Sequence, residues 1–237
     1  MVPPEGESVA EVTVGIDIGT TSVKAVSADA EGTVVAEAHV PHELIAPHAD
    51  RFEHDPQAAW VDGVVRAFDS VAAGHDVAGA TVSAMVPSLC GVDADGTPVT
   101  PGLLYGDARG RADSGGTGIE GEAVGFARWL AEQPGVAAVR PAQAVANHAL
   151  CGVAAIDTST ALTMAPLVTG TGWDAELLAE IGLREDQLPA CSPGSAPIGR
   201  RGPTPLSGGT IDALAEQYVA DAHRPGEVLV ICGATLI

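Results

Sequence analysis

Asp17, Gly19, Thr20 and Thr21 fall together in the stretch VTVGIDIGTTSVKAVSAD, residues 12–29. Val12, Val14, Ile16 and Ile18 alternate with Thr13, Gly15 and Asp17, the period of a strand. The Gly-Thr-Thr run breaks the strand and Val23 to Val26 resumes it, so the stretch predicts a hairpin. Glycine lets backbone N–H groups approach an anion, and threonine hydroxyls add donors, so the turn suits a phosphate. A carboxylate beside a phosphate, here Asp17, calls for a metal ion between the two. Spacing alone leaves an ordinary Gly-Thr hairpin with a turn aspartate equally open. Asp107 and Arg109, in PGLLYGDAR at 101–109, form a second pair in which the guanidinium could hold the carboxylate ionised. Taken as bare residues they read as a loop Asp–Arg pair in a Gly-rich turn. His42, His48 and His54 invite a metal, but their spacing fits neither a helix face nor a zinc pattern. The Pro and Asp residues around them predict a surface loop.

These residues need elements to place them. The hairpin and a third strand, Thr33 to Val40, predict a three-stranded meander. Asp55 is a good N-cap with Pro56 at the first helical position. Trp60, Val61, Val64, Val65, Phe68 and Val71 then recur at helical spacing until Gly74. That helix is a crossover, so the next strand, Val77 to Met85, should run parallel to the first. Further along, helices are expected at 122–132, from Trp173 to Ile181 with Asp174 as cap, and from Ala213 to Ala222. A short strand or helix entry is expected from Asn147 to Ile156, and a strand from Glu227 to Cys232.

Composition narrows the classes. The chain has 237 residues, 46% apolar, enough for one good core or two small ones. Eleven Lys plus Arg against 31 Asp plus Glu give a net charge of −20, which repels nucleic acid and anionic membranes. The same charge repels a nucleotide at long range, so a phosphate site must be built locally from backbone donors and a cation. Cys90, Cys151, Cys191 and Cys232 are widely spaced and read as buried thiols of a reducing compartment. The N-terminus carries neither a basic nor an apolar leader segment, and no run reaches the length of a membrane span. The expectation is a cytoplasmic protein with no nucleic-acid or membrane partner.

Asp17-x-Gly19-Thr20-Thr21-x-x-Lys24 between two strands resembles the first phosphate motif of the actin-like ATPase and sugar-kinase superfamily. More narrowly the chain resembles the FGGY carbohydrate kinases, and within them the xylulose kinase-like members. Later matches follow in order. Tyr105-Gly106-Asp107-Ala108-Arg109 resembles the family's aromatic, spacer, Asp, Arg segment. Asp157-Thr158-Ser159-Thr160-Ala161 resembles its Thr/Asp-x-Ser-x-Ala turn. Leu188-Pro189 through Gly199 fits its Leu-Pro to Gly stretch. Gly208-Gly209-Thr210-Ile211-Asp212-Ala213 resembles its Gly-x-x-Asp-Ala turn, with Ile211 where the family usually has Gly. Gly233-Ala234-Thr235 resembles its second phosphate loop. One departure stands out: Met85-Val86-Pro87-Ser88 occupies the place of the family's Gln-Met-His-Gly.

The resemblance implies an α/β fold of the actin-like ATPase type, RNase H-like in its core, with a mixed sheet and flanking helices. It implies transfer of the γ-phosphoryl of ATP to a hydroxyl of a small sugar or polyol such as xylulose, with Mg²⁺. By the same resemblance Asp17, Gly19, Thr20, Thr21, Lys24, Gly233 and Thr235 contact the nucleotide, and Asp17 and Asp212 hold the metal. Met85, Tyr105, Asp107 and Arg109 contact the sugar, and Asp107 is the general base that accepts the hydroxyl proton. Residues 1–10 would be a disordered lead-in, 11–225 an N-terminal lobe, and 226–237 the first strand of an absent C-terminal lobe carrying the adenosine pocket. The isolated chain is then expected to be inactive, with a homodimer as one way to cover its last strand. A second reading is a non-catalytic sugar-binding or regulatory lobe. A different actin-like ATPase is disfavoured by the Tyr105 segment and the Leu-Pro stretch.

Overall fold

A computed structural model describes residues 10–111, 121–170, 172–222 and 224–230. Strand β1 (Glu11–Ile18) buries Val12, Val14, Ile16 and Ile18 on one face, as its alternation predicts. Strand β2 (Ser22–Ala28) runs antiparallel to it, with Lys24 directly opposite Asp17. Strand β3 (Val34–Pro41) completes the meander. After β4 (Glu53–His54) the chain enters one helical rod. The rod is π-wound over Gln57–Asp62 and α-wound in α1 (Gly63–Ala72). Asp55 starts it by accepting from the N–H groups of Gln57 and Ala58 at 3.0 and 3.2 Å. The wide turn was not foreseen; it ends at Gly63, where a Cβ would stand 3.1 Å from both the Ala58 carbonyl and Val23 Cγ2. Strand β5 (Asp76–Ala84) then lies parallel to β1, as a helical crossover requires.

The chain next builds β6 (Ser88–Val92), β7 (Gly102–Leu104), α2 (Ala108–Arg111), α3 (Glu122–Ala131), β8 (Ala138–Pro141) and α4 (Ala142–Cys151). It continues through β9 (Ala155–Asp157), α5 (Thr158–Leu162), β10 (Val168–Thr169), β11 (Gly172–Trp173) and α6 (Ala175–Glu180). It closes with β12 (Ala190–Ser192), β13 (Pro197–Arg201), β14 (Thr204–Ser207), β15 (Thr210–Ile211) and α7 (Asp212–Val219). The main mixed sheet has the order β13-β14-β5-β1-β2-β3, and β15 pairs with β5 beyond β14. A second, antiparallel sheet has the order β4-β7-β6-β8. Two apolar cores result. One lies between the main sheet and the α1 and α4 helices, around Trp60, Val64 and Ile18. The other gathers Leu89, Leu103, Phe126, Leu130, Ile156 and Leu178 around the second sheet.

Several expectations change. The second sheet was not read as one, because every residue of β6 and β7 is buried and the two-residue alternation disappears. The segment expected to begin at Asn147 lies inside α4, whose first turn is Ala142-Gln143-Ala144. The Asp157–Ala161 turn is the start of α5, with Asp157 accepting from the N–H groups of Ser159 and Thr160. Residues 227–230 form no strand; Ile231 and Cys232 lie outside the described residues, as does nearly all of the lead-in. Cys90 is buried, Cys151 half-buried and Cys191 exposed, so the third is not the core thiol expected; all three are free. Among the described residues no helix is long and apolar enough to cross a membrane.

Candidate active site

The Gly19–Thr21 turn sits where β1 ends, and its carbonyls are held from behind. Gly19 N–H donates to Ser22 O at 3.0 Å, and Thr21 O accepts from His42 N–H at 3.0 Å. Thr20 O accepts from His54 Nε2 at 2.8 Å. Among the described residues the N–H groups of Thr20 and Thr21 donate to no protein acceptor. Two neighbouring backbone donors in a Gly-containing turn are what an anion needs. Asp17 Oδ2 stands 3.9 Å from where a Cβ on Gly19 would be, which places the carboxylate beside the turn. His54 itself is 1% exposed, a core group rather than the surface-loop residue expected.

The second predicted motif lies close by. Tyr105 meets Thr20 Oγ1 through its hydroxyl at 2.9 Å. Two residues on, Asp107 is 0% exposed and fully engaged. Its Oδ1 accepts from Arg109 N–H at 2.9 Å and Arg109 Nε at 2.8 Å. Its Oδ2 accepts from Phe52 N–H at 2.8 Å and Arg109 Nη2 at 2.7 Å. The same Nη2 reaches Glu53 at 2.6 Å, and the guanidinium lies 4.7 Å over the Trp129 ring. Burial alone would raise the Asp107 carboxyl, but the Arg109 and Phe52 donors outweigh it and hold it below the ordinary range. A general base must be accessible and basic near the working pH. In this structure both Asp107 oxygens are taken by protein donors, and the residue anchors its loop. Glu122 anchors the same loop by accepting from Gly106 N–H at 2.7 Å.

Asp212, which opens α7, faces a different setting. Asp17, Ser83, Asp212 and Glu216 line one cleft of about 330 Å³. Burial, then the nearby Asp17 and Glu216 charges, push the Asp212 carboxyl up to about 6, against a lowering bond from Ala213 N–H. Burial also raises Asp17, partly offset by Lys24 across the hairpin. Like charges held together in a cleft are relieved by a cation. Among the described residues no three metal-ligating side chains form a ready cage. Mg²⁺ suits such a place, since it takes one or two carboxylates and completes its shell with water and substrate phosphates. The donor set therefore fits the expected ion.

A buried amide fixes Asp212 in this cleft. Gln143 Nε2 donates to Val82 O of β5 and Thr210 O of β15, both at 3.1 Å, and its Oε1 accepts from Asp157 N–H at 3.0 Å. Ser159 Oγ accepts from Ile211 N–H at 3.3 Å and bonds the Asp157 carboxylate. Sequence reasoning missed Gln143; its only signal is a polar pair, Gln143 and Asn147, one turn apart in an Ala-rich helix. The remaining expected contacts divide. Arg109 lies with Asp107, and Lys24 is exposed beside Asp17. Met85 is 2% exposed within the main core, its N–H bonded to Ile18 O, so the protein rather than a sugar surrounds it. Gly233 and Thr235 lie outside the described residues.

The mixed sheet, with a phosphate-type turn at the end of its first strand and a facing carboxylate on a later helix, has the fold of the actin-like ATPases. Residues 12–113 match the FGGY family of carbohydrate kinases, N-terminal domain. The chain is 31% identical over 209 residues to a xylulose kinase of Streptomyces rubiginosus, covering 74% of this chain and 41% of that protein. It is 28% identical over 243 residues to an apulose kinase of Pectobacterium atrosepticum, covering 90% and 49%. Its structure superposes on the xylulose kinase of Rhodospirillum rubrum with a TM-score of 0.80 at 25% identity, over 92% of this chain and 53% of that one. The glycerol kinase of Plasmodium falciparum shares the fold, with a TM-score of 0.78 at 15% identity over 98% and 54%. The chain spans about half the length of the curated relatives it matches over most of its own length.

Proposed function

We propose that this chain is the acceptor-binding half of an ATP-dependent carbohydrate kinase that phosphorylates a hydroxyl of a small sugar or polyol such as xylulose. The observation that carries the reading is the pairing of Asp17 with Asp212 across one cleft, beside a turn with two free backbone donors. Thr20 and Thr21 bind nucleotide phosphate through those donors. Asp17 would hold Mg²⁺, which supplies neutralisation of phosphate charge, with Asp212 facing it in the same cleft. In place of the Asp107 base that the resemblance implies, Asp212 is the proposed proton acceptor, because it lines the cleft while both Asp107 oxygens are taken by protein donors. Asp107 and Arg109 then act together as the clamp that shapes the acceptor loop, with Tyr105 at its tip.

Phosphoryl transfer is mostly positioning and electrostatics, and it needs walls on both sides of the γ-phosphate. This chain furnishes one of them. The test is a coupled assay of the full-length protein with ATP, Mg²⁺ and a panel of pentuloses, hexoses, polyols and aldonates. Phosphorylation of at least one, abolished by Asp212→Asn, supports the reading. Binding of a sugar with no phosphoryl transfer by any member would instead make this a sugar-binding lobe.

A further inference from the structure

His54 belongs to the histidine cluster that the sequence assigns to a surface loop, yet its ring bonds the phosphate turn. Its ring is 1% exposed and has two partners of fixed character. The Thr20 carbonyl can only accept, so His54 Nε2 must carry the proton it donates at 2.8 Å. The indole N–H of Trp60 can only donate, so His54 Nδ1, 3.1 Å away, must be bare. One neutral tautomer satisfies both, and no other does. Trp60 is fully buried, and its ring lies against Gly102 of β7 so closely that a Cβ there would stand 2.4 Å from it. Three residues beyond Gly102, Tyr105 returns to Thr20 through its hydroxyl. The contacts therefore close a ring: Thr20, His54, Trp60, β7, Tyr105 and back to Thr20. The backbone of the turn is gripped on one side and its side chain on the other.

We propose that His54, set by Trp60, is a positioning residue that holds the Thr20–Thr21 donors in the geometry that binds nucleotide phosphate, and that it does so from β4, the strand paired with β7, which leads into the acceptor loop. The proposal rests on the kinase reading for its ligand, but its structural half can be read without it. His54→Leu removes both hydrogen bonds. Trp60→Phe removes only the indole donor. His54→Gln keeps an acceptor for Trp60 and a donor for Thr20.

Two measurements test the proposal. Amide hydrogen exchange on this chain should show the two bonded amides of the turn, Gly19 N–H on Ser22 O and His42 N–H on Thr21 O, about tenfold faster in His54→Leu, with α4 amides unchanged. Trp60→Phe should move them in the same direction and His54→Gln should restore them. In the full-length protein His54→Leu should raise KM for ATP about tenfold while leaving KM for the acceptor near its wild-type value, again with rescue by Gln. Exchange that quickens everywhere, or not at all, overturns the proposal. So does an equal rise in both KM values, which is what a merely loosened core would give. If the wild-type protein phosphorylates none of the panel sugars, the kinase reading fails, and the exchange data alone decide whether His54 holds the turn.

Discussion

Asp107 and Asp212 show how environment separates two carboxylates of one chain. Four donors saturate the first, and the second faces like charges in an open cleft. Asp107→Asn leaves the buried Arg109 short of its main partner, and breaking such a pair costs about 3–5 kcal/mol. A denaturant titration should therefore show a large loss of stability. Asp212→Asn should fold as well as the parent or better and lose roughly 10²–10⁴ in kcat in the full-length enzyme. A stable Asp107→Asn variant with that kinetic loss would return the base to Asp107. Asp17→Asn should keep the fold and weaken Mg·ATP binding by about 1.5–3 kcal/mol, the worth of one charged ligand. His54 adds a pH signature. Burial depresses its folded pKa from 6.5 to about 4, so the unfolded chain binds the extra proton between those values. Its contribution is whole above pH 6.5 and is lost as pH falls towards 4, by about 3 kcal/mol in all. Melts across that window should be steeper for wild type than for His54→Gln.

At the scale of elements, the site depends on how β15 docks on β5. Gly209 lies just before β15 with φ +98°, and a Cβ there would stand 2.1 Å from Val82 O and 2.7 Å from Gln143 Nε2. Gly209→Ala combines overpacking, about 1–3 kcal/mol, with a strained backbone of similar cost. It should cost at least ~2 kcal/mol in a thermal or denaturant melt and loosen β15, so that Asp212 no longer faces Asp17. Activity that survives at wild-type level would show that α7 holds Asp212 without β15. The main sheet's leading strands and crossover were legible because alternation in β1 and the Asp55-Pro56 start of the rod are local signals. The second sheet was not, since short strands buried on both faces carry no period. The site divides in the same way. Asp17, Gly19 and the two threonines stand out by type and spacing, which leave a plain hairpin equally open, and Asp212 stands out only through the resemblance of its turn. Gln143, His54 and Glu122 each bond a group far along the chain, Thr210, Thr20 and Gly106 at separations of 67, 34 and 16 residues, which no local pattern encodes.

For the whole molecule the question is what a chain spanning about half the length of its relatives can do. The described C-terminal end carries exposed apolar residues close together in sequence: Tyr218, Val219, Val228 and Val230, from 64% to 89% exposed. Residues 227–230 join no sheet here, and a run of this kind gains by pairing or by cover. The surface carries a net charge of −20, so a nucleotide must be drawn in by local donors against a repulsive field. On the proposed reading Thr20, Thr21, Asp17 and Asp212 form one wall of the site, and one wall neither excludes water nor clamps a γ-phosphate. We therefore expect negligible sugar phosphorylation by the isolated 237-residue chain, weak nucleotide binding, and concentration-dependent self-association through the Val228–Val230 segment. Side-by-side coupled assays of the chain and the full-length protein measure the first, and sedimentation of the chain with and without Val228→Lys and Val230→Lys measures the last. Comparable kcat values would mean that this wall alone organises the transfer. Association unchanged by both lysines would place the contact on another surface, with the exposed Tyr218–Val219 end of α7 the next to alter.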